Sequence, residues 1–161
     1  MKVEHINPFI QALTQAFQAR FDMQMVHEPP SVRTGTSPRA WDVTTVAGIV
    51  GGCRGTVLLH CSSAIALRLA SVALGSEVTE LDDEAADTLV ALLRDTLDTA
   101  AARSPDLDFA VATPVVLLGA GHRAAFEQAA PCISIPFETP AGGIEMEVAL
   151  EEDMPSPASE A

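Results

Sequence analysis

The sequence predicts a mixed α/β fold of the α+β type, in which an antiparallel sheet of two hairpins plus extra strands packs against helices. Two stretches, residues 42–61 and 132–150, each contain two apolar, strand-like runs separated by glycines, which is typical of a β-hairpin. Between them, residues 81–102 repeat apolar side chains at spacings of three and four, which indicates an amphipathic α-helix. Tight turns favour antiparallel pairing, so we expect one layered domain.

The composition limits the classes of function that are open to the chain. Its 161 residues suit one domain, and an apolar fraction of 48% is enough to build a core. The formal charge of −13 repels phosphate backbones and anionic membranes, so we expect no nucleic-acid or membrane partner. No apolar stretch approaches the roughly 20 residues of a transmembrane helix. The acidity instead suits a partner with a basic docking surface.

The three cysteines predict a reducing compartment. Their sparse, odd number, without a CxxC pair, a zinc-type spacing or a signal peptide, indicates a cytoplasmic protein without a metal site. Cys61 and Cys132 lie in apolar runs and are expected to be buried and inert, whereas Cys53 lies in a glycine-rich turn and is expected to be exposed. His60 and Cys61 are adjacent in a strand and point to opposite faces, so they do not form a catalytic pair.

The first 41 residues predict one helix and an irregular connection. The helix is expected to open at Asn7-Pro8, because Asn is a good N-cap and Pro suits the first helical position. Residues 21–26 are a candidate strand. The proline-rich stretch 27–40 is predicted to be a loop or an irregular edge, and Trp41 is expected to anchor the return into the core.

The first hairpin is predicted at 42–50 and 56–61 around a turn at 51–55. The glycines of this turn do not indicate a phosphate-binding loop, because neither a Lys-Ser/Thr pair nor a helix start follows them. The next helix is expected at 64–74, with Ser62 or Ser63 as its cap and a stop at Gly75. Its predicted inner face consists of Ile65, Leu69 and Val72.

The C-terminal third predicts strands, a loop and a second hairpin. The strands are expected at 109–112, 115–118, 132–137 and 144–150, with a loop at 119–130 in which His122 is a surface residue. In the last strand, apolar residues alternate with Glu145 and Glu147, which predicts that one side faces water. The domain therefore spans 1–150, and the acidic, Pro- and Ser-rich residues 151–161 are predicted to be a disordered tail.

The helix at 81–102 carries the candidate functional surface on the side opposite its leucines. Leu89, Leu92, Leu93 and Leu97 are expected to face the core, with Asp82 or Asp83 as the N-cap. The polar side presents Asp87, Ala91, Arg94, Asp95 and Asp98. One interpretation is a solvated surface, in which Arg94 and Asp98 pair at i and i+4 for about 0.2–0.5 kcal/mol. The other is a docking surface for a partner protein.

Four stretches of the sequence resemble the CheX-type chemotaxis proteins of the CheC/CheX/FliY phosphatase family. They are VEHINPFIQA (3–12), GIVGGCRGTVLL (48–59), ALGSEVTELDDE (73–84) and PCISIPFETPAGGIEMEVAL (131–150), in the family's order. The resemblance implies a CheC/CheX-like fold, a homodimer, and a CheY-type response regulator as partner. It also implies that the regulator supplies Mg²⁺, so that the protein needs no cofactor of its own. We expect the last strand and its hairpin to offer an exposed sheet edge for this dimerisation.

The family dephosphorylates its regulator with a Glu-x-x-Asn motif, whose Glu contacts a regulator Lys and whose Asn orients the attacking water. The resemblance places these two positions at Ala91 and Arg94, and a following Gly-Asn at Asp98 and Thr99. Alanine has no carboxylate, and an arginine has no acceptor for a water hydrogen. We therefore expect no catalytic residue at the motif positions.

Three functions remain open after the resemblance is considered. The first is binding of a response regulator with weak or no phosphatase activity. The second is an active phosphatase in which Asp95 or Thr99 substitutes for the missing groups. The third is a scaffold that keeps only self-association.

Overall fold

The computed structural model describes residues 3–33, 35–36, 39–122, 125–126 and 132–152. Within these residues the helices are α1 (Val3–Phe21), α2 (Ser63–Leu74) and α3 (Asp83–Ala102). The strands are β1 (Val26–His27), β2 (Ser31–Arg33), β3 (Gly35–Thr36), β4 (Trp41–Gly51), β5 (Cys53–Cys61), β6 (Phe109–Val111), β7 (Val115–His122), β8 (Ala125–Phe126), β9 (Cys132–Thr139) and β10 (Gly142–Glu152).

The strands form one large antiparallel sheet and one small antiparallel pair. The large sheet has the order β1-β9-β10-β5-β4-β6, with β2 also paired to β9 and β7 also paired to β4; the small pair is β3 with β8. The three helices pack on one face of the large sheet around an apolar core. The predicted fold class is therefore confirmed. The last strand, however, is not an edge, because β10 lies between β5 and β9. The expectation that it offers an edge for dimerisation is wrong.

Helix α1 begins earlier than predicted. It starts at Val3 and contains Pro8, because Ile6 is buried with Phe9 and Leu13 in the same apolar stripe. That burial offsets the hydrogen bond that the Pro8 nitrogen cannot donate. The helix also continues to a buried Phe21, so the candidate strand at 21–26 is wrong except for its last residue. The stretch predicted as a loop or irregular edge forms the short edge strands β1 to β3.

The first hairpin has a tighter turn than predicted. Strand β5 starts at Cys53, whose side chain is fully buried, so the expectation of an exposed thiol is wrong. Gly51 has a φ of +109°, and the amide of Gly52 donates to the Asp108 carbonyl at 2.7 Å. A Cβ at Gly52 would lie 2.5 Å from the Leu107 carbonyl oxygen. This close approach draws the turn against the neighbouring segment and places Cys53 inside.

Helix α2 has the predicted ends but not the predicted inner face. Ser62 accepts a hydrogen bond from the Ile65 amide at 3.2 Å, and Gly75 ends the helix in the left-handed conformation. Val72 is 43% exposed, because Ala66 and Ala70 share the buried side with Ile65 and Leu69. Small residues let the helix lie close to its neighbours at those positions.

Two C-terminal predictions also need correction. Strand β7 continues to His122 and is followed by β8, so residues 119–122 and 125–126 are not the predicted loop. Strand β10 includes Glu151 and Glu152, which pair with Arg54 and Cys53 of β5. The predicted tail therefore starts two residues too early, and its remainder lies outside the described residues.

The side of β10 that was expected to face water is buried. Glu147 is fully buried and Glu145 is 7% exposed. The physical reason is the central position of β10, because side chains of the neighbouring strands surround both carboxylates. Ser134 of β9 donates to Glu145, and His60 of β5 contacts Glu147 at 3.1 Å.

Candidate functional site

The start of α3 is built by acidic residues, as predicted. The Asp82 carboxylate accepts a hydrogen bond from the Ala85 amide at 2.9 Å, which makes Asp82 the N-cap. Asp83 and Glu84 follow in the first turn, where negative charge stabilises the positive end of the helix dipole. The apolar side of the helix is buried through Leu89, Leu92, Leu93, Thr96, Leu97 and Ala100. The predicted core face is confirmed.

The opposite side of α3 is the candidate site, and all its predicted members lie on one surface. Asp87, Arg94, Asp95 and Asp98 are exposed, and Ala91 is half-buried. Ala91 and Arg94 are three residues apart on the helix, so their side chains are neighbours. Three carboxylates around one guanidinium make this surface predominantly acidic. It can therefore attract a cationic side chain of a partner and direct one of its own cations towards an anionic group.

A groove between α1 and α3 borders this surface. It has a volume of about 320 Å³ and is lined by Ala12, Gln15, Ala16, Ala19, Arg20, Asp95, Asp98 and Thr99. The Arg20 guanidinium of α1 donates to the Asp95 carboxylate, and the Arg103 guanidinium donates to the Gln15 side chain at 2.6 Å. Helix α1 thus contributes one wall and one charged group to the site.

Sequence reasoning missed the part played by α1. The predicted pairing of Arg94 with Asp98 is not formed in the described part of the chain, and the ion pair on this surface joins Asp95 to Arg20 instead. Those partners are 75 positions apart, so only the packing of the two helices brings them together. A local pattern on α3 contains no signal for such a contact. The consequence is that the Asp95 carboxylate is bound to Arg20, although Asp95 lines the groove together with Asp98 and Thr99.

Two of the three cysteines are unsuited to thiol chemistry, and the described residues contain no cluster suited to a metal ion. No group of three or more His, Cys, Asp and Glu side chains among them could hold a metal ion. Burial raises the pKa of Cys61 to about 12 and that of Cys132 to about 11, so both thiols stay protonated at neutral pH. The expectation that these two cysteines are buried is confirmed. None of the helices described is long and apolar enough to cross a membrane.

Comparison with known proteins identifies the class. The family model described as "Chemotaxis phosphatase CheX" matches residues 43–138, which is more than half of the chain. The chain is similar in structure to the chemotaxis protein CheX from Desulfovibrio desulfuricans, with a TM-score of 0.85 and 26% identity, over 92% of this chain and 100% of that one. The chemotaxis protein CheX from Vibrio vulnificus gives a TM-score of 0.84 and 24% identity, over 92% and 100%.

A third solved structure contains a relative together with a partner. It is the CheX-CheY-BeF₃-Mg²⁺ complex from Borrelia burgdorferi, which gives a TM-score of 0.79 and 19% identity and covers 94% of this chain and 100% of the other. A search of curated protein sequences gave no significant match. The fold and the family match therefore define a domain of the CheC/CheX class. Within that class, the chain belongs to the chemotaxis phosphatase CheX family.

Proposed function

We propose that this protein binds a CheY-type response regulator in the cytoplasm and has weak or no phosphatase activity towards it. Family membership and the existence of a CheX-CheY complex in a protein of the same fold support the partner. The observation that carries the proposal is the exposed polar surface of α3, on which Ala91 and Arg94 occupy neighbouring positions. The regulator brings its own Mg²⁺ and phosphoryl group, so the protein needs no cofactor.

The chemistry of this surface favours binding over hydrolysis. An Asn amide can accept a water hydrogen and hold the water in line with phosphorus, whereas the Arg94 guanidinium only donates. Ala91 cannot pair with a regulator lysine. Arg94 lies among carboxylates and extends into solvent, where its fixed charge suits the carboxylates or phosphoryl oxygens of a regulator's acidic pocket. Asp95 is a poor substitute catalyst because its carboxylate is already bound to Arg20.

The test is a binding titration with the organism's CheY-type regulators, each with Mg²⁺ and with or without beryllofluoride as the phosphoryl mimic. We expect wild-type protein to bind at least one regulator, and Arg94→Ala to weaken that binding by about tenfold or more, as expected for an arginine at the centre of an interface. Arg68→Ala is the matched control, because Arg68 is an exposed arginine on α2. Absence of binding, or equal losses in both variants, would favour the scaffold function instead.

We also propose a homodimer, formed through the edge of the sheet at β7. This strand pairs only with β4 among the described strands of the large sheet, so its other side has unpaired backbone groups. Val115, Leu117 and Leu118 on β7 are each more than half exposed. A patch of this kind on an edge strand suits burial against a second copy. Light scattering should report a dimer for the wild type and a monomer for Leu117→Lys, and a wild-type monomer at all concentrations would contradict the proposal.

A further inference from the structure

The outer face of the sheet, away from the helices, has a line of bonded polar side chains that the proposed function does not use. The line crosses the sheet from edge to edge, with one residue from each of six strands: Arg33 (β2), Cys132 (β9), Glu147 (β10), His60 (β5), Thr44 (β4) and His122 (β7). Its four middle members are almost completely buried. We call this set the transverse line.

One end of the transverse line is organised around the Glu147 carboxylate. Arg33 donates to it, the Cys132 thiol donates to it at 3.2 Å, and the His60 Nε2 lies 3.1 Å away. A buried carboxylate beside a guanidinium is ionised and accepts hydrogen bonds only. The Nε2 of His60 must therefore have a hydrogen. The His60 ring is also held in place by stacking on Trp41, with ring centroids 5.7 Å apart.

The other end of the transverse line is organised around His122. Its Nδ1 lies 2.7 Å from the Gly119 carbonyl, which can only accept, so this nitrogen also has a hydrogen. The remaining two nitrogens, Nε2 of His122 and Nδ1 of His60, both contact the Thr44 hydroxyl, at 2.5 and 2.8 Å. A hydroxyl donates only one hydrogen. One nitrogen accepts that hydrogen, and the other must donate to the Thr44 oxygen.

It follows that one of the two imidazoles has hydrogens on both nitrogens and is positively charged. Two neutral histidines and an ionised Glu147 are one proton short of completing these contacts. Burial, with the neighbouring charges of His122 and Arg33, lowers the pKa of His60 to about 4. His60 is fully buried whereas His122 is half-buried, so the charge costs less free energy on His122, and Thr44 donates to His60.

Other polar and charged groups on the same face complete the electrostatic setting. They are Arg39, whose guanidinium lies 4.3 Å from the Trp41 ring centroid, Ser134, which donates to Glu145, and the cross-strand residues Arg54 and Glu151. None of these supplies a second hydrogen to the contacts of Thr44. The protonation requirement thus depends on Thr44 and the two histidines.

We propose that the transverse line holds one extra proton and links the two edges of the sheet, so that the order of β7 depends on pH. We call this protonated line the clasp. When the extra proton leaves, one of the two contacts to Thr44 loses its hydrogen, and the end of β7 is held less firmly on β4. The clasp is independent of regulator binding, because none of its residues lies on α1 or α3.

The direct test is nitrogen-15 spectroscopy of the four histidine rings in the full chain at pH 7.5. An ordinary imidazole is only about 10% protonated at that pH. We expect His122 to be predominantly protonated on both nitrogens and His60 to be neutral with its hydrogen on Nε2. A predominantly neutral His122, or a His60 with its hydrogen on Nδ1 alone, would overturn the proposal.

Variants at Thr44 distinguish the effect of the extra proton from an effect on packing alone. Thr44→Val removes the shared hydroxyl, so His122 should become mainly neutral at pH 7.5, whereas Thr44→Ser should keep it charged. Protection of β7 amides against hydrogen exchange should fall roughly three- to tenfold in Thr44→Val, the loss expected for one hydrogen bond. Raising the pH of the wild type to 9 should have a similar effect.

Thr45→Val is the matched control for these variants, because Thr45 lies on the same strand and faces the core. It should leave the ring states unchanged. If Thr44→Val does not fold, the ring states of the wild type decide the question alone. Identical ring states in Thr44→Val and wild type would overturn the proposal.

Discussion

The exposed face of α3 and the outer face of the sheet both present acidic and basic side chains, but their surroundings are opposite. On α3, Asp87, Arg94 and Asp98 lie in water. On the sheet, Glu147 is fully buried and bonded to Arg33, His60 and Cys132. Substitution of polar side chains that lie in water costs little stability, and such side chains are available to bind a partner. Polar groups bonded to one another inside the protein hold the fold together.

The largest effect on stability is expected from removing a buried charged side chain on the outer face of the sheet. Glu147→Ala removes the carboxylate and leaves the Arg33 charge and the His60 donor without it, which typically costs about 3–5 kcal/mol. Asp98→Ala on α3 is the contrasting variant, and its effect should stay within about 0.5 kcal/mol. Urea unfolding at pH 7 measures both. Equal losses in the two variants would mean that the buried cluster contributes no more than a surface residue.

The largest effect on activity is expected on the exposed surface. Wild-type protein in excess should leave the decay of phosphorylated regulator nearly unchanged. Ala91→Glu with Arg94→Asn should rebuild the Glu-x-x-Asn motif on one helix face, and one orienting group is worth about 10²–10³ in rate. Each single variant serves as the control and should stay inactive, because docking and water orientation are both needed.

Two outcomes would change that interpretation. Fast decay with the wild type would show that Asp98 or Thr99 in the groove replaces the motif, and loss of that activity in Asp98→Ala would identify Asp98 as the group responsible. A folded double variant that binds the regulator without activity would show that α3 alone does not supply the catalytic geometry.

The pH dependence of stability should include a contribution from the buried His60 on the outer face of the sheet. Burial lowers the folded-state pKa of His60 to about 4, whereas an unfolded histidine binds its proton near 6.5. The unfolded state therefore binds more protons in this range, and this contribution to stability is lost as the pH falls from about 6.5 towards 4. His60→Gln should show a flatter acid limb, and the exposed His27→Gln should match the wild type. An unchanged acid limb in His60→Gln would rule out this assignment.

The smallest effect is expected at the boundary of the site. The Arg20–Asp95 pair is about a third to a half exposed, so water screens it and its interaction energy should be below about 1 kcal/mol. A double-mutant cycle with Arg20→Ala and Asp95→Ala measures that coupling. The same variants should remove the ion pair from the wall of the groove without unfolding the protein. A coupling of several kcal/mol would show that the pair is a structural element of the α1–α3 contact.

Helix α3 and strand β10 illustrate why part of the fold is readable from sequence. The spacing of Leu89, Leu92 and Leu93 predicts which side of the helix is buried, because neighbours at three and four positions share a face. The alternation along β10 likewise predicts a strand with two distinct sides. It does not reveal what covers the second side. Glu145 and Glu147 were therefore predicted to face water, and the structure buries both.

Local sequence patterns predicted the order of the main elements, a cap at Ser62 or Ser63 for α2, a cap at Asp82 or Asp83 for α3, and the polar face of α3. These features depend on residues within a few positions of one another. The family also came from sequence, through resemblance over long stretches and not through local pattern. Only the tertiary structure placed β10 inside the sheet, joined Arg20 to Asp95, and aligned six strands so that Arg33 and His122 lie at opposite ends of one bonded line. Those contacts join residues far apart in the chain, and their partners are set by strand order and helix packing, which no local pattern contains.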